Sequence, residues 1–177
     1  MQDDRGTWVS DDHSIKSLGI RYFKNILDDD HSTNIAAQLK VIRLFPSYIS
    51  AGENVAFTSS VTLTEVERAL KTFKRDKAPG PDGWPVEFYL TFFYLLGPLL
   101  VNMVETSRTL GRVTPALNST FLALIPKVDL PVSFADFRPI SLCNICYKLI
   151  SKIAALRLKP FLDASISPQQ FSFLNNR

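Results

Sequence analysis

Little in this sequence can hold a zinc ion, cross-link the chain or carry it through a membrane. Of 177 residues only two are cysteine and two histidine. Cys143 and Cys146 form CNIC with no second such pair and no histidine beside them, whereas a structural zinc site takes four ligands. A thioredoxin-type redox pair would open a helix in a βαβ context, which the neighbouring sequence does not supply. The two thiols are therefore expected as small buried apolar groups, and no metal site is expected. The segment MQDDRGTWVSDD has neither the charged-then-apolar pattern nor the cleavage site of a secretory leader, so the expected setting is intracellular, cytoplasm or nucleus, and not secreted. Internal repeats and low-complexity tracts are missing, which excludes solenoids and mucin-like stalks. Charge is missing over the seventeen residues from Phe88 to Val104, FYLTFFYLLGPLLVNMV, near the lower limit for spanning a bilayer. Gly97-Pro98 interrupts this run and Thr91 and Asn102 dilute it. Two shorter buried helices are expected from it, with a small membrane-associated protein as the competing reading.

What is present is a hydrophobic content of 46%, enough for the core of one domain with or without an extension, and a net charge of +3. That charge is uneven. Residues 1–60 carry six Lys/Arg against eight Asp/Glu, and residues 61–177 carry fourteen against nine. The basic part suits an anionic partner or a solvated face. A helix is expected near Ile15 to Leu27 within an otherwise acidic extension. Thr64 and Glu67 read as a capping box, followed by Val66, Leu70 and Phe73 at helical spacing. The basic face from Arg68 to Lys77 is either solvated or in contact with phosphate. KAPGPDG then ends the helix, with Pro79 and Pro81 lacking donors and Gly80 and Gly83 permitting positive φ. A second helix is expected from about Pro85, and another to about Thr109 with Gly111 as its stop.

Two short apolar runs, Phe121 to Ile125 and Ile140 to Leu142, flank a segment whose Pro131 and polar residues cannot continue a central strand. A β-hairpin follows, with Lys127 and Arg138 near its mouth and Pro139 keeping Arg138 extended. An Arg fork and a mobile Lys ammonium together suit a polyphosphate; exposed hairpin charges are the plainer reading. From Asn144 a long helix is expected, with Ile145, Leu149, Ile153 and Leu156 on one stripe, Lys148 and Lys152 on another, and Pro160 limiting its length. The fold class expected is α+β, rich in helix, with one short antiparallel hairpin.

In order along the chain stand LTEVERALKTFKRDKAPGPDGWPVEFY, LALIPKVDLPVSFADFRPISLCNICYKLISKIAALRLKPFL and ISPQQFSFLNNR. On these segments the chain resembles the amino-terminal part of reverse transcriptases from LINE-type (non-LTR) retrotransposons, those of plants above all, over residues 61–177. The resemblance implies the fingers portion of a right-hand polymerase fold with an incomplete palm, preceded by an extension or linker, residues 1–60. It carries Lys127 and Arg138 over to residues that contact the triphosphate of an incoming deoxynucleotide. It carries Gln170 and Arg177, with the basic Lys148 and Lys152, to contact with an RNA template and DNA primer, and Phe173 to a buried aromatic. Asn175-Asn176 departs from the Pro-Gly pair common in the family, though Asn tolerates positive φ.

Polymerisation also needs carboxylates holding two divalent ions. In the family these follow later, and Asp76, Asp82, Asp129, Asp136 and Asp163 have no second carboxylate in matching context. No catalytic residue, metal ligand or cofactor is therefore assigned to this chain; Mg²⁺ is expected only for the complete family enzyme. The chain is expected to be truncated before the catalytic palm motifs and inactive alone. A nucleic-acid-binding module without catalysis uses the same basic residues and stays open as the alternative.

Overall fold

The computed structural model describes residues 1–3, 5–27, 35–44 and 50–165. Among these are seven α-helices and a two-stranded antiparallel sheet, distributed over two compact units. One comprises Met1–Pro46 with Leu122–Ser141, the other Ser47–Phe121 with Leu142–Arg177.

In the first unit, Asp11 accepts the Ser14 amide at 2.9 Å and so starts α1, Asp12–Leu27. Leu18 and Phe23 face inward, and Phe23 meets the Phe134 ring edge-on with centroids 5.9 Å apart while Tyr22 stacks on the same ring. Gly19 lets that ring come close, since a Cβ there would lie 2.8 Å from Phe134 Cζ. Helix α2 is Ile35–Ile42. Strands β1, Thr120–Pro126, and β2, Phe137–Cys143, pair as the hairpin.

The second unit is a helical core. Ser50 and Glu53 cap α3, Ala51–Thr58, reciprocally. Helix α4, Leu63–Lys71, buries Val66, Ala69 and Leu70 completely and packs against α5, Val86–Thr91, α6, Phe93–Leu110, and α7, Ile145–Ser165. Val86 and Tyr89, Leu100 and Val104, and Leu149 and Ile153 complete the cluster from those three helices.

Several local expectations shift. The cap of α4 is Thr62, which accepts the Glu65 amide at 3.2 Å; T-x-x-E occurs twice in TLTEVE, and the local pattern alone cannot choose between the registers. The helix ends at Lys71, so Lys74, Arg75 and Lys77 lie beyond it, and Lys71 pairs with Glu67 at 2.5 Å. The uncharged run breaks at Phe92, at the α5–α6 junction, rather than at Gly97-Pro98. Pro98 and Pro160 both sit inside helices. Each removes one donor, and each stands on an exposed position, where the freed carbonyl can turn to water. Gly111 does end α6, with φ 63°. Among the described residues no helix is long and apolar enough to cross a membrane.

Candidate functional site

The backbone amide of Lys127 donates to the Asp136 carbonyl at 2.7 Å, continuing the ladder one residue past β1. This register sets Lys127 opposite Asp136 and Ile125 opposite Arg138. Residues two apart on a strand and directly opposed across it share a face. Lys127 and Arg138 are therefore diagonal neighbours on one side of the ladder. Both are exposed. The Lys127 ammonium donates to the Ala135 carbonyl at 2.7 Å, which takes one of its three donors. The Arg138 side chain makes no hydrogen bond or ion pair among the described residues.

The tip between them is stiff. One Asp136 oxygen accepts the Val132 and Ser133 amides at 3.0 and 2.9 Å and the Ser133 hydroxyl at 3.1 Å. Those backbone N–H groups, first among the causes, hold the Asp136 carboxyl below its usual range. Asp136 is thus a structural acceptor at the hairpin tip.

In the helical unit, Lys148 and Lys152 lie one turn apart on α7, both half-buried and neither in a side-chain hydrogen bond or ion pair among the described residues. Gln170, Phe173 and Arg177 fall outside the described residues. Among the described residues no three of His, Cys, Asp and Glu gather where they could hold a metal ion. Cys143 and Cys146 are free thiols, half-buried rather than fully so. Cys146 donates to the Tyr89 oxygen at 3.5 Å, and burial pushes the Cys146 thiol up, which disfavours a reactive thiolate.

Three polar residues of this unit carry roles that local pattern does not announce. Asn144, 4% exposed, accepts the Asp82 amide at 3.1 Å through Oδ1 and donates to Ser119 Oγ at 3.4 Å through Nδ2. It thereby joins the KAPGPDG loop to the start of α7. Gly83 takes φ 75° as expected, but Gly80 does not. Gly80 instead serves close approach, because a Cβ there would lie 2.4 Å from both the Asn144 nitrogen and its Oδ1.

Arg157 grips Glu65 with Nε and Nη2, both at 2.7 Å. Nη1 donates to the Phe57 and Ser59 carbonyls at 3.0 and 2.7 Å. Its signal in the sequence is its place four residues after Ile153, on the apolar stripe, where an arginine needs a partner. Arg108 acts alongside it, donating to the Thr58 carbonyl at 3.0 Å and to both oxygens of Glu105. The two guanidinium groups thus satisfy carbonyls at the C-terminus of α3, where a cation also opposes the helix dipole.

Glu105 also accepts the Val61 amide at 3.1 Å. The Arg108 hydrogen bonds foremost, then that amide, hold its carboxyl down from 4.5 to about 2. A depressed folded-state pKa adds stability above the unfolded value and loses it as the pH falls through the folded one. Stability should therefore decline between about pH 4.5 and about pH 2. Urea midpoints over that window should fall less steeply in Glu105→Gln than in the parent, and equal slopes would contradict this assignment.

No family model matches the chain. Over 165 residues, 93% of its length, it is 27% identical to the uncharacterized 149 kDa protein of transposon TX1 from Xenopus laevis, and it spans 12% of that protein. The chain is a distant, partial homologue of a transposon-encoded protein.

Proposed function

We propose that the chain is part of the RNA-directed DNA polymerase of a LINE-type, non-LTR retrotransposon and supplies its fingers segments. In this reading, Arg138 lays its planar fork against phosphate oxygens of an incoming deoxynucleoside triphosphate and Lys127 adds a point charge. Contact with RNA template and DNA primer falls to Lys148 and Lys152 and, by the resemblance alone, to Gln170 and Arg177, where phosphate contacts position the strand without reading it. The observation that carries the reading is the hairpin register, which keeps two exposed cations, Arg138 with its side chain unengaged and Lys127 with one donor spent on Ala135, on one side of the ladder, in a chain homologous to a transposon-encoded protein.

Two magnesium ions would supply the charge neutralisation of phosphoryl transfer in a complete enzyme. The carboxylates described do not fit such a pair: among the described residues none cluster, and Asp136 is spent on backbone amides. In this reading the part played by these residues is binding.

Fluorescence anisotropy with labelled triphosphate and with single-stranded RNA tests the reading. Arg138→Ala should weaken triphosphate binding about 10- to 100-fold, the worth of hydrogen bonds to a charged group, and change RNA affinity little. Undiminished triphosphate affinity would overturn the cradle. RNA binding with no triphosphate binding would favour a non-catalytic nucleic-acid-binding module. Primer extension with magnesium and nucleotides should give no product above a mock preparation.

A further inference from the structure

We propose that a cavity in the helical unit is a binding site for a small amphipathic anion, an apolar body ending in a carboxylate. The cavity has a volume of about 490 Å³ and lies between the end of α3, the C-terminal half of α6 and the middle of α7. That volume falls in the range of small-molecule sites. Val61, Val104, Ile150, Ile153 and Ala154 give it an apolar wall, which favours a hydrocarbon or aromatic body over a nucleotide or sugar.

Its polar side chains are three guanidinium groups and the hydroxyls of Thr58 and Ser107. Arg157 also borders the cavity, but its five N–H groups are consumed by Glu65 and by the Phe57, Ser59 and Ser60 carbonyls. Arg108 uses three donors on Glu105 and Thr58 and keeps two. Arg112, exposed at the rim, makes no hydrogen bond or ion pair among the described residues. Ser107 lines the cavity at 8% exposure, and its hydroxyl has no hydrogen-bond partner among the described residues. A hydroxyl that opens on a cavity without a protein partner is free to donate to, or accept from, whatever enters it.

Among the described residues no carboxylate lines the space; Glu105 neutralises Arg108, so the cation left for an entering anion is Arg112, with the Ser107 hydroxyl beside it. An uncharged apolar molecule would fill the wall but leave these donors unanswered. The complement is therefore an acceptor-bearing anion whose apolar portion covers the α6–α7 wall and whose charged end reaches Arg112.

Isothermal titration of the full chain with decanoate, and in parallel with decanol, tests this. Saturable one-site binding of decanoate is expected, with decanol about tenfold weaker or more. Arg112→Gln, an exposed substitution that leaves the core untouched, should bring decanoate down to the affinity of decanol. Ala154→Phe should occupy the cavity and abolish binding, with circular dichroism showing whether that variant is folded. Equal affinity for decanoate and decanol, or unchanged binding in Arg112→Gln, would overturn the proposal, as would binding by a folded Ala154→Phe. Arg138→Ala should leave decanoate binding as it was, which keeps this test separate from that of the triphosphate cradle.

Discussion

Replacing Arg157 by alanine will destabilise the helical unit by about 3–5 kcal/mol, the cost of stripping one partner from a buried ion pair. The Arg157 and Glu65 side chains are only 13% and 12% exposed, so the carboxylate left behind has little water to turn to. The Arg157 hydrogen bonds, as the foremost cause, keep the Glu65 carboxyl below its usual range, while burial opposes them. With the guanidinium gone, burial would be opposed only by the Thr62 hydrogen bond and the charge of Arg68, and the Glu65 carboxyl would rise from its depressed position. The substitution also strips the Phe57 and Ser59 carbonyls of their donors, so the α3 terminus and the linker to α4 loosen together.

Urea unfolding of three variants separates these contributions. Arg157→Ala loses the charge and every donor. Arg157→Lys keeps the charge but offers a compact ammonium that cannot reproduce the fork. Glu65→Gln leaves the carbonyl bonds in place and should cost least. A loss below about 1 kcal/mol in Arg157→Ala, the range of an exposed surface pair, would show that the clamp is not buried in solution.

Gly80→Ala will be the second severe substitution. The added Cβ would stand 2.4 Å from the Asn144 nitrogen and its Oδ1, and 2.6 Å from the Cys143 carbonyl carbon. Two of these three are backbone atoms, which cannot swing aside as a long side chain can. Overpacking of this kind costs about 1–3 kcal/mol and sometimes more. Displacing Asn144 also leaves the Asp82 amide without its acceptor, a further loss of about 1–3 kcal/mol if that amide stays buried. Gly52→Ala is the control, since nothing lies within 4 Å of a Cβ there and alanine favours the helix by up to about 1 kcal/mol. Hydrogen exchange gives the local readout: the Asp82 amide should lose protection in Gly80→Ala and keep it in Gly52→Ala. Wild-type stability in Gly80→Ala would mean that the loop does not dock on the start of α7.

How far residues alone could be read depended on the range of the interaction. The stripe Ile145, Leu149, Ile153 and the pair Val66, Leu70 lie on single helices, where spacing reveals a buried face. Gly111 stops α6 through its own backbone freedom. The hairpin followed from two apolar runs flanking a polar, proline-bearing interval. The cap of α4 falls at Thr62, and the Glu65 that it caps faces Arg157, ninety-two residues on; nothing in TLTEVE contains that contact. The two helical prolines were misread for the same reason: a missing hydrogen bond is tolerated when packing of the remaining helix outweighs it.

Of the candidate nucleotide site, the cation types and their separation could be read directly, and so could the bend joining them. That Lys127 spends a donor on Ala135 while Arg138 keeps its own could not, because the choice depends on where the hairpin tip folds back. Residues by themselves determined what repeats or turns locally: helix faces, the αL stop at Gly111, the strand pairing and the basic bias of residues 61–177. The tertiary structure alone decided which charges are bound and which are free, why Gly80 must lack a side chain, and that Ser107 and Arg112 border one cavity. Those outcomes rest on atoms brought within a few ångströms from distant parts of the chain. Periodicity and propensity describe neighbours in sequence and carry no term for such encounters.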